Sequence, residues 1–468
     1  MLPDDVLLDI FDFYRYNHNY SSSPVWKWHV LVHVCQRWRH VAFASPQRLE
    51  LQILCTRGTP VRKYLGIWPA FPIVLNFFSL SQLSPSDEDN VITALEYPNR
   101  VCSVKLNATG LQLGRIARLM QEPFPVLTRL FIVSRDAPVI SADFLGGSAP
   151  YLQEITLSGI PFPALPTLIL STSDLIDLTL ENIPPAGYIS PETMCTCLAA
   201  LPRLEILTIE FQSATHHPDQ ICPPPVTRTV LPALTYFYFQ GASEYLESLV
   251  SQLDGPQLNE IDIVYLDPPV DFQVPRLSTF IERSVGPELT PSRRAHVCFL
   301  TIHREAFDFT LYRHINRPGL DRYPLGTYIS SDTFDLRVSD LAHVLRQISA
   351  TLFTVVQLEL GARLDDDYQL EHTDDVDWMH LFRQFPAVQT LHVSGRLAEF
   401  IALALDGIRG ETVAEVLPSL DLICLEGQQA SFVESLDIFA DRRLSDRPVT
   451  VVYTRKEFDK RLESYTSK

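Results

Sequence analysis

The sequence predicts an α/β protein: an all-helical N-terminal segment followed by an irregular solenoid of strand–helix units. Two observations predict it. A short apolar signature returns along most of the chain, and two amphipathic helical stretches precede it. At 468 residues the chain exceeds one ordinary core, so it divides into several domains or one elongated array. With 46% hydrophobic and 20% charged residues, most of it is expected to fold.

The N-terminal stretch reads Leu2-Pro3-Asp4-Asp5-Val6-Leu7-Leu8-Asp9-Ile10-Phe11-Asp12-Phe13-Tyr14. Pro3 fits a helix start, where its missing N–H costs nothing. Asp4 and Asp5 then fall in the first turn, which the helix dipole favours. Val6, Leu7, Ile10, Phe11 and Tyr14 recur at helical spacing and predict one apolar stripe. The polar run Arg15–Ser23, closed by Pro24, predicts a loop. A second helix is expected from about Trp28 to Ala44, with Leu31, Val34, Cys35, Trp38, Val41 and Ala42 on its apolar side. Two short helices bury little surface by themselves, so their apolar faces need a partner, in the same chain or another.

These residues resemble the F-box. Leu2–Phe11 looks like its opening helix, Val34-Cys35-Gln36-Arg37-Trp38-Arg39 like its later helix, and Ser45-Pro46-Gln47-Arg48-Leu49 like its end. Gly58-Thr59-Pro60-Val61-Arg62 and Trp68-Pro69 extend the likeness to fungal F-box proteins. The resemblance covers roughly residues 1–75, and the loop between the two helices is longer than in compact F-boxes. It implies a module that binds a Skp-type adaptor, and through it a cullin ligase core. Leu2, Pro3, Val6, Leu7, Ile10, Leu31 and Val34 are then the candidate adaptor contacts, whereas Phe11 and Trp38 are expected to pack internally. F-box residues would span 1–48, the array 49–442, and a strand and helical tail 443–468.

The array's signature is Pro-x-[Leu/Val]-x-x-[Leu/Ile/Phe]-x-apolar. It occurs as Pro125/Leu127/Leu130/Ile132, Pro150/Leu152/Ile155/Leu157, Pro202/Leu204/Leu207/Ile209, Pro232/Leu234/Phe237/Phe239 and Pro256/Leu258/Ile261/Ile263. It returns as Pro386/Val388/Leu391/Val393 and Pro418/Leu420/Ile423/Leu425. Copies without the proline start at Val101 and Leu175, and less clearly at Val297 and Val355. The alternating part suits a short strand, and a proline ahead of it removes no ladder donor. Helices are expected between copies at Ser243–Leu253, Ser339–Ile348, Asp377–Phe385 and Leu397–Leu405; Ser190-Pro191-Glu192 makes a good start for another.

A spacing of about 23 to 33 residues resembles leucine-rich repeats, which implies a curved solenoid. The usual Asn or Cys after the strand is replaced by Thr109, Ile160, Gln212, Ala242 and Gln428, so no asparagine ladder is expected. The pattern blurs between about 264 and 350, where Pro268, Pro269, Pro275, Pro287 and Pro291 predict long loops or insertions. Another long loop is expected at 214–231.

Charge and chemistry narrow the function classes. A net charge of −18 repels phosphate backbones and argues against nucleic-acid binding. Eight scattered cysteines, mostly in apolar runs such as Val297-Cys298-Phe299-Leu300, predict buried free thiols and a reducing compartment, cytoplasmic or nuclear. Acid at Asp4 and Asp5 replaces the basic region of a signal peptide, and no apolar run is long enough to span a membrane. No phosphate loop, dinucleotide fingerprint or Gly-x-Ser-x-Gly elbow occurs. Cys195-x-Cys197 is too closely spaced for a zinc knuckle. His216-His217 with Cys222, and the Asp365–Asp367 and Asp374/Asp375/Asp377 runs, fit solvated loops better than metal sites. No catalytic residue, cofactor or metal is therefore expected. The leading expectation is a non-enzymatic substrate-recognition subunit of an SCF-type ubiquitin ligase, holding an unidentified target protein on the array. The alternative is a plain repeat scaffold whose first helices only cap the array.

Overall fold

Side chains alternate between buried and half-buried along the strands whose burial is described, as one-sided packing requires. A computed structural model describes residues 2–18, 28–136, 138–213, 228–258, 260–266, 275–285, 297–303, 306–312, 325–330, 338–347, 352–363, 375–393, 397–407, 416–426 and 449–454. They divide into two units, Met1–Tyr188 and Ile189–Lys468. The boundary falls inside the predicted array, and the N-terminal helices share a unit with the first strands.

The first unit opens with α1 (Asp4–His18), α2 (His29–Val32) and α3 (Gln36–Ala44). Strands and helices then alternate: β1 (Ile53–Thr56), α4 (Val61–Ile67), β2 (Ile73–Phe77), α5 (Pro85–Leu95), β3 (Val101–Asn107), α6 (Gly110–Leu119), β4 (Arg129–Val133), β5 (Glu154–Ser158), α7 (Leu165–Leu170) and β6 (Asp177–Ile183). The six strands pair in chain order, all parallel. Leu75, Val104, Leu130, Ile155 and Leu178 lie side by side in register and are fully buried. One aliphatic residue per strand thus stacks into a continuous core. The array starts two strands before the first sequence copy at Val101, because β1 and β2 present Ile53-x-Cys55 and Ile73-x-Leu75 in place of the leucine signature.

Parallel neighbours need a crossover, and local capping sets where each helix begins. Ser84 caps α5 by accepting from the Asp87 amide, with Pro85 at the first position. Thr109 and Gln112 cap each other's backbone at the start of α6. Gly110 must be glycine, since a Cβ there would sit 1.9 Å from the Asp136 carbonyl oxygen.

Polar side chains of one unit reach the preceding one where an asparagine ladder would run. Asp87 accepts from the Gly58 amide at 3.0 Å, Asn90 from Val61 at 3.2 Å, and Asp136 from Gly110 at 3.0 Å. Gln112 donates to the Leu83 carbonyl at 3.0 Å. Asp87 is buried and also accepts from the Ser84 hydroxyl at 2.8 Å. Asp87→Ala is expected to cost about 2 kcal/mol of unfolding free energy, because two donors lose their acceptor. Asp87→Asn should cost less. Denaturant unfolding of the two variants checks this.

The second unit begins with α8 (Pro191–Leu198), capped by Ser190 as its sequence predicts. Then follow β7 (Ile206–Phe211), β8 (Thr229–Val230), β9 (Tyr236–Gly241), α9 (Ser243–Ser251), β10 (Leu253–Asp254), β11 (Glu260–Tyr265), α10 (Pro275–Val285), β12 (Val297–His303), β13 (Ala306–Tyr312), β14 (Leu325–Ser330), α11 (Val338–Gln347) and β15 (Gln357–Arg363). Helix Asp375–Phe382, β16 (Thr390–Val393), helix Leu397–Gly407, β17 (Leu422–Glu426) and β18 (Thr450–Thr454) complete it. Its strand order is β7-β9-β11-β14-β13-β12-β15-β16-β17-β18. β8 and β10 form a separate parallel pair, so the expected loop 214–231 ends in a short strand, and residues 214–227 lie outside the described residues.

All pairs in this larger sheet are parallel except two. β13 runs antiparallel to both β12 and β14. The region expected to hold long loops therefore contributes three strands to the sheet. β14 pairs in parallel with β11 and β12 with β15, so the insertion joins the two parallel stretches. Pro275 opens α10 and breaks nothing, while Pro268, Pro269, Pro287 and Pro291 lie outside the described residues. Every copy of the sequence signature named above lies on, or directly before, a strand of the sheet. The expected tail strand is β18, paired with β17, and residues 455–468 lie outside the described residues.

Candidate partner-binding surfaces

α1 is apolar on two sides. Leu7, Leu8 and Phe11 are buried, and Phe11 meets Trp38 edge-on at 4.9 Å. Leu2, Val6, Ile10 and Phe13 are exposed, Leu2 by 52% and Phe13 by 69%. Helical spacing places Val6, Ile10 and Phe13 on one side of α1, roughly opposite the buried trio, and Leu2 lies just before its first turn. Burial of Leu7, Leu8 and Phe11 fixes which side faces out, and surface ion pairs accompany it. Arg37 binds Asp4 at 2.7 Å and also the Leu2 carbonyl oxygen. Arg48 bridges Asp9 at 2.6 Å and Asp12 at 2.9 Å, and its hydrogen bonds to Asp12 and Asp9 raise its pKa. α1 cannot roll its exposed stripe inward without breaking these contacts.

The predicted second helix is divided. Cys35 takes an extended conformation (φ −158°, ψ 169°), and its Sγ caps α3 by accepting from the Trp38 amide at 3.4 Å. The break leaves Val30 and Val34 exposed, Val34 by 56%, while Leu31 and Val32 are buried. α1 continues through Arg15 to His18, so the expected loop begins later; residues 19–27 lie outside the described residues.

Of the seven candidate adaptor contacts, Leu2, Pro3, Val6, Ile10 and Val34 face solvent. Leu7 and Leu31 are buried within the unit, Leu7 because it lies on the side of α1 turned toward Trp38. The sequence argument missed Phe13 and Val30. Phe13 was legible, since Leu2, Val6, Ile10 and Phe13 form a second stripe at helical spacing. Trp28 joins these helices to the first strand–helix unit. Its indole N–H donates to the Gln52 carbonyl at 2.7 Å, and its ring lies 5.1 Å from Trp68, 5.6 Å from Phe71 and 6.2 Å from Phe43.

The strands offer a second kind of surface. In the second unit, Ile206, Tyr236 and Glu260 lie in register on the half-buried side, beside Thr208, Tyr238 and Asp262. Tyr236 donates to Asp262 at 3.3 Å. Burial pushes both Asp262 and Glu260 above the usual carboxylate range; the Tyr236 hydrogen bond partly offsets this for Asp262, and Asp262 adds to it for Glu260. A carboxyl that holds its proton more tightly when folded costs stability once ionised, so the contribution of this pair falls as pH rises through the raised values. Asp262→Asn is therefore expected to raise the melting temperature at pH 7 and to leave it unchanged near pH 4, as calorimetry at the two pH values can check.

The buried thiols Cys55, Cys195 and Cys197 are poor nucleophiles. Cys55 and Cys195 are pushed up to about 12 by burial, and Cys197 to about 11. Cys35 is the exposed thiol among the described cysteines. No group of three or more His, Cys, Asp or Glu that could hold a metal lies among the described residues. His216, His217, Cys222, Asp365–Asp367 and Asp374 lie outside them, and Asp375 and Asp377 belong to the helix Asp375–Phe382. No helix among the described residues is long and apolar enough to cross a membrane.

No family model matches the chain, and no curated protein matches it. Among solved structures, the leucine-rich repeat-containing protein LegL7 from Legionella pneumophila matches at a TM-score of 0.26 and 12% identity, over 86% of this chain and 100% of that one. The repeat architecture of the present chain stands on its own strand register.

Proposed function

We propose that the chain is an F-box-type substrate-recognition subunit. Helices α1–α3 dock a Skp-type adaptor, which links them to a cullin ligase core, and the strand array holds a target protein. The observation that carries this is the exposed stripe Val6, Ile10 and Phe13 on α1, with Leu2 just before it, on a helix whose other side is buried through Leu7, Leu8 and Phe11. An apolar cluster held open in this way marks an interface. The chain supplies position rather than bond chemistry. Tethering a target beside the transfer machinery turns an encounter into a local event. Its place is the cytoplasm or nucleus, with neither nucleic acid nor membrane as a partner. Tagged full-length protein should bring down a Skp-type adaptor and a cullin; wild-type protein without either contradicts the proposal.

A second reading has its own support. Trp28 packs the helices onto the first unit, as a cap of a plain binding scaffold would need. In that case deletion of residues 1–45 melts the array and the wild-type protein recovers no adaptor.

A further inference from the structure

Strands β1–β6 carry two basic residues, Lys105 and Arg129. Arg129 is paired with Glu154 at 3.3 Å. Lys105 is not paired with an anion among the described residues. Its Nζ stands between two rings, 4.4 Å from the centroid of Phe131 and 5.0 Å from that of Phe78, and the rings meet edge-to-face at 5.0 Å.

Register leaves Lys105 and Phe131 half-buried beside the exposed Phe78 and Leu80. Lys105 alternates with buried Val104 and Leu106, so it leaves the sheet on the side away from the core. Asn76, Lys105, Phe131 and Thr156 run side by side across β2–β5. Phe78 is 42% exposed and Leu80 fully exposed. The rings hold the ammonium in place but cannot neutralise it, because a ring face offers a quadrupole and no charge. The other acids on this side are Asp177 and Glu181 of β6. Three strand spacings put them about 14 Å from Lys105, beyond the screening length of about 8 Å at physiological salt.

We propose that Phe78, Lys105 and Phe131 are a docking point for an acidic side chain of a partner protein. A glutamate or aspartate in an extended segment pairs with the Lys105 ammonium, and an apolar neighbour rests on Phe78 and Leu80. Charge complementarity selects this occupant: an unpaired cation inside an apolar rim favours a carboxylate that brings its own apolar flank. The inference rests on the reading that the strand side of the array holds the target, and not on adaptor docking.

The test uses purified full-length protein on an array of hexapeptides with Glu, Gln, Lys or phosphoserine fixed at one central position. Wild type should bind Glu-centred peptides about tenfold better than Gln-centred ones, the usual worth of one charged contact. Lys105→Met should remove that preference, Lys105→Arg keep it, and Lys105→Glu transfer it to Lys-centred peptides. No preference for Glu over Gln in the wild type overturns the proposal, as does a preference that survives Lys105→Met. Binding confined to phosphoserine overturns it in favour of a phosphate ligand. Adaptor co-purification should be the same for wild type and Lys105→Met, which separates failure here from failure of the docking helices.

Discussion

Exchanging Val6 and Ile10 for aspartate is expected to abolish capture of a Skp-type adaptor while leaving the protein folded. Val6 is 39% and Ile10 42% exposed, so the free protein loses part of their packing but no fully buried side chain, a smaller cost than a core substitution. In the complex each aspartate would sit where an apolar side chain had been buried. Covering the exposed two-fifths of each side chain contributes about 1 kcal/mol, and each unpaired buried carboxylate adds a desolvation cost of at least about 1–3 kcal/mol. A combined loss of at least roughly 4 kcal/mol corresponds to a thousandfold weaker complex. Leu7→Asp would be a poor substitute, since Leu7 is buried and its loss would confuse unfolding with undocking. Adaptor recovery and far-ultraviolet dichroism, measured together on Val6→Asp/Ile10→Asp, decide between the outcomes. Full recovery would show that the stripe is not the contact.

Trp28→Ala is expected to destabilise the first unit by about 3–5 kcal/mol, the usual range for a buried indole. Trp28 is 6% exposed and fills the junction between Phe43 of α3 and the Trp68–Phe71 segment, with its N–H satisfied by the Gln52 carbonyl. Its removal leaves a cavity and an unpaired carbonyl. Denaturant unfolding followed by amide exchange should show α3 and β1 losing protection together. If only α1–α3 lose protection and β1 keeps it, the helices are a separable module. If both melt, the three helices also cap the array.

The array was legible in the sequence because its signal is local. A leucine, then two alternating apolar residues, suffices to mark a one-sided strand, and Leu130/Ile132, Leu207/Ile209 and Ile423/Leu425 all land in β4, β7 and β17 as buried pairs. Between about 264 and 350 an insertion was expected, but the antiparallel pairing of its strands was not, for the opposite reason. Phe307, Phe309 and Leu311 alternate as a strand should, but no proline or leucine precedes them at repeat spacing, and the surrounding prolines suggested loops. The ties between neighbouring strand–helix repeats were also invisible, since Asp87 and Gly58 are 29 residues apart and nothing in the intervening residues announces their meeting.

At the N-terminus the sequence showed that α1 is amphipathic without showing which stripe turns inward. Eight apolar residues in the first thirteen support either choice; packing of Phe11 on Trp38, far along the chain, decides it. The division at Cys35 was hidden because a thiol is an uncommon cap, and Val34-Cys35 reads as helix interior by hydropathy alone.

Val6, Ile10 and Phe13 on α1, with Leu2 just before it, are proposed to meet a Skp-type adaptor. Amide exchange of the full-length chain, with and without a purified Skp-type adaptor, tests it most directly. The account predicts that the adaptor slows exchange in α1 and around Val34, and leaves β3–β6 unchanged. Identical exchange in α1 with saturating adaptor, or protection confined to the strands, would contradict it.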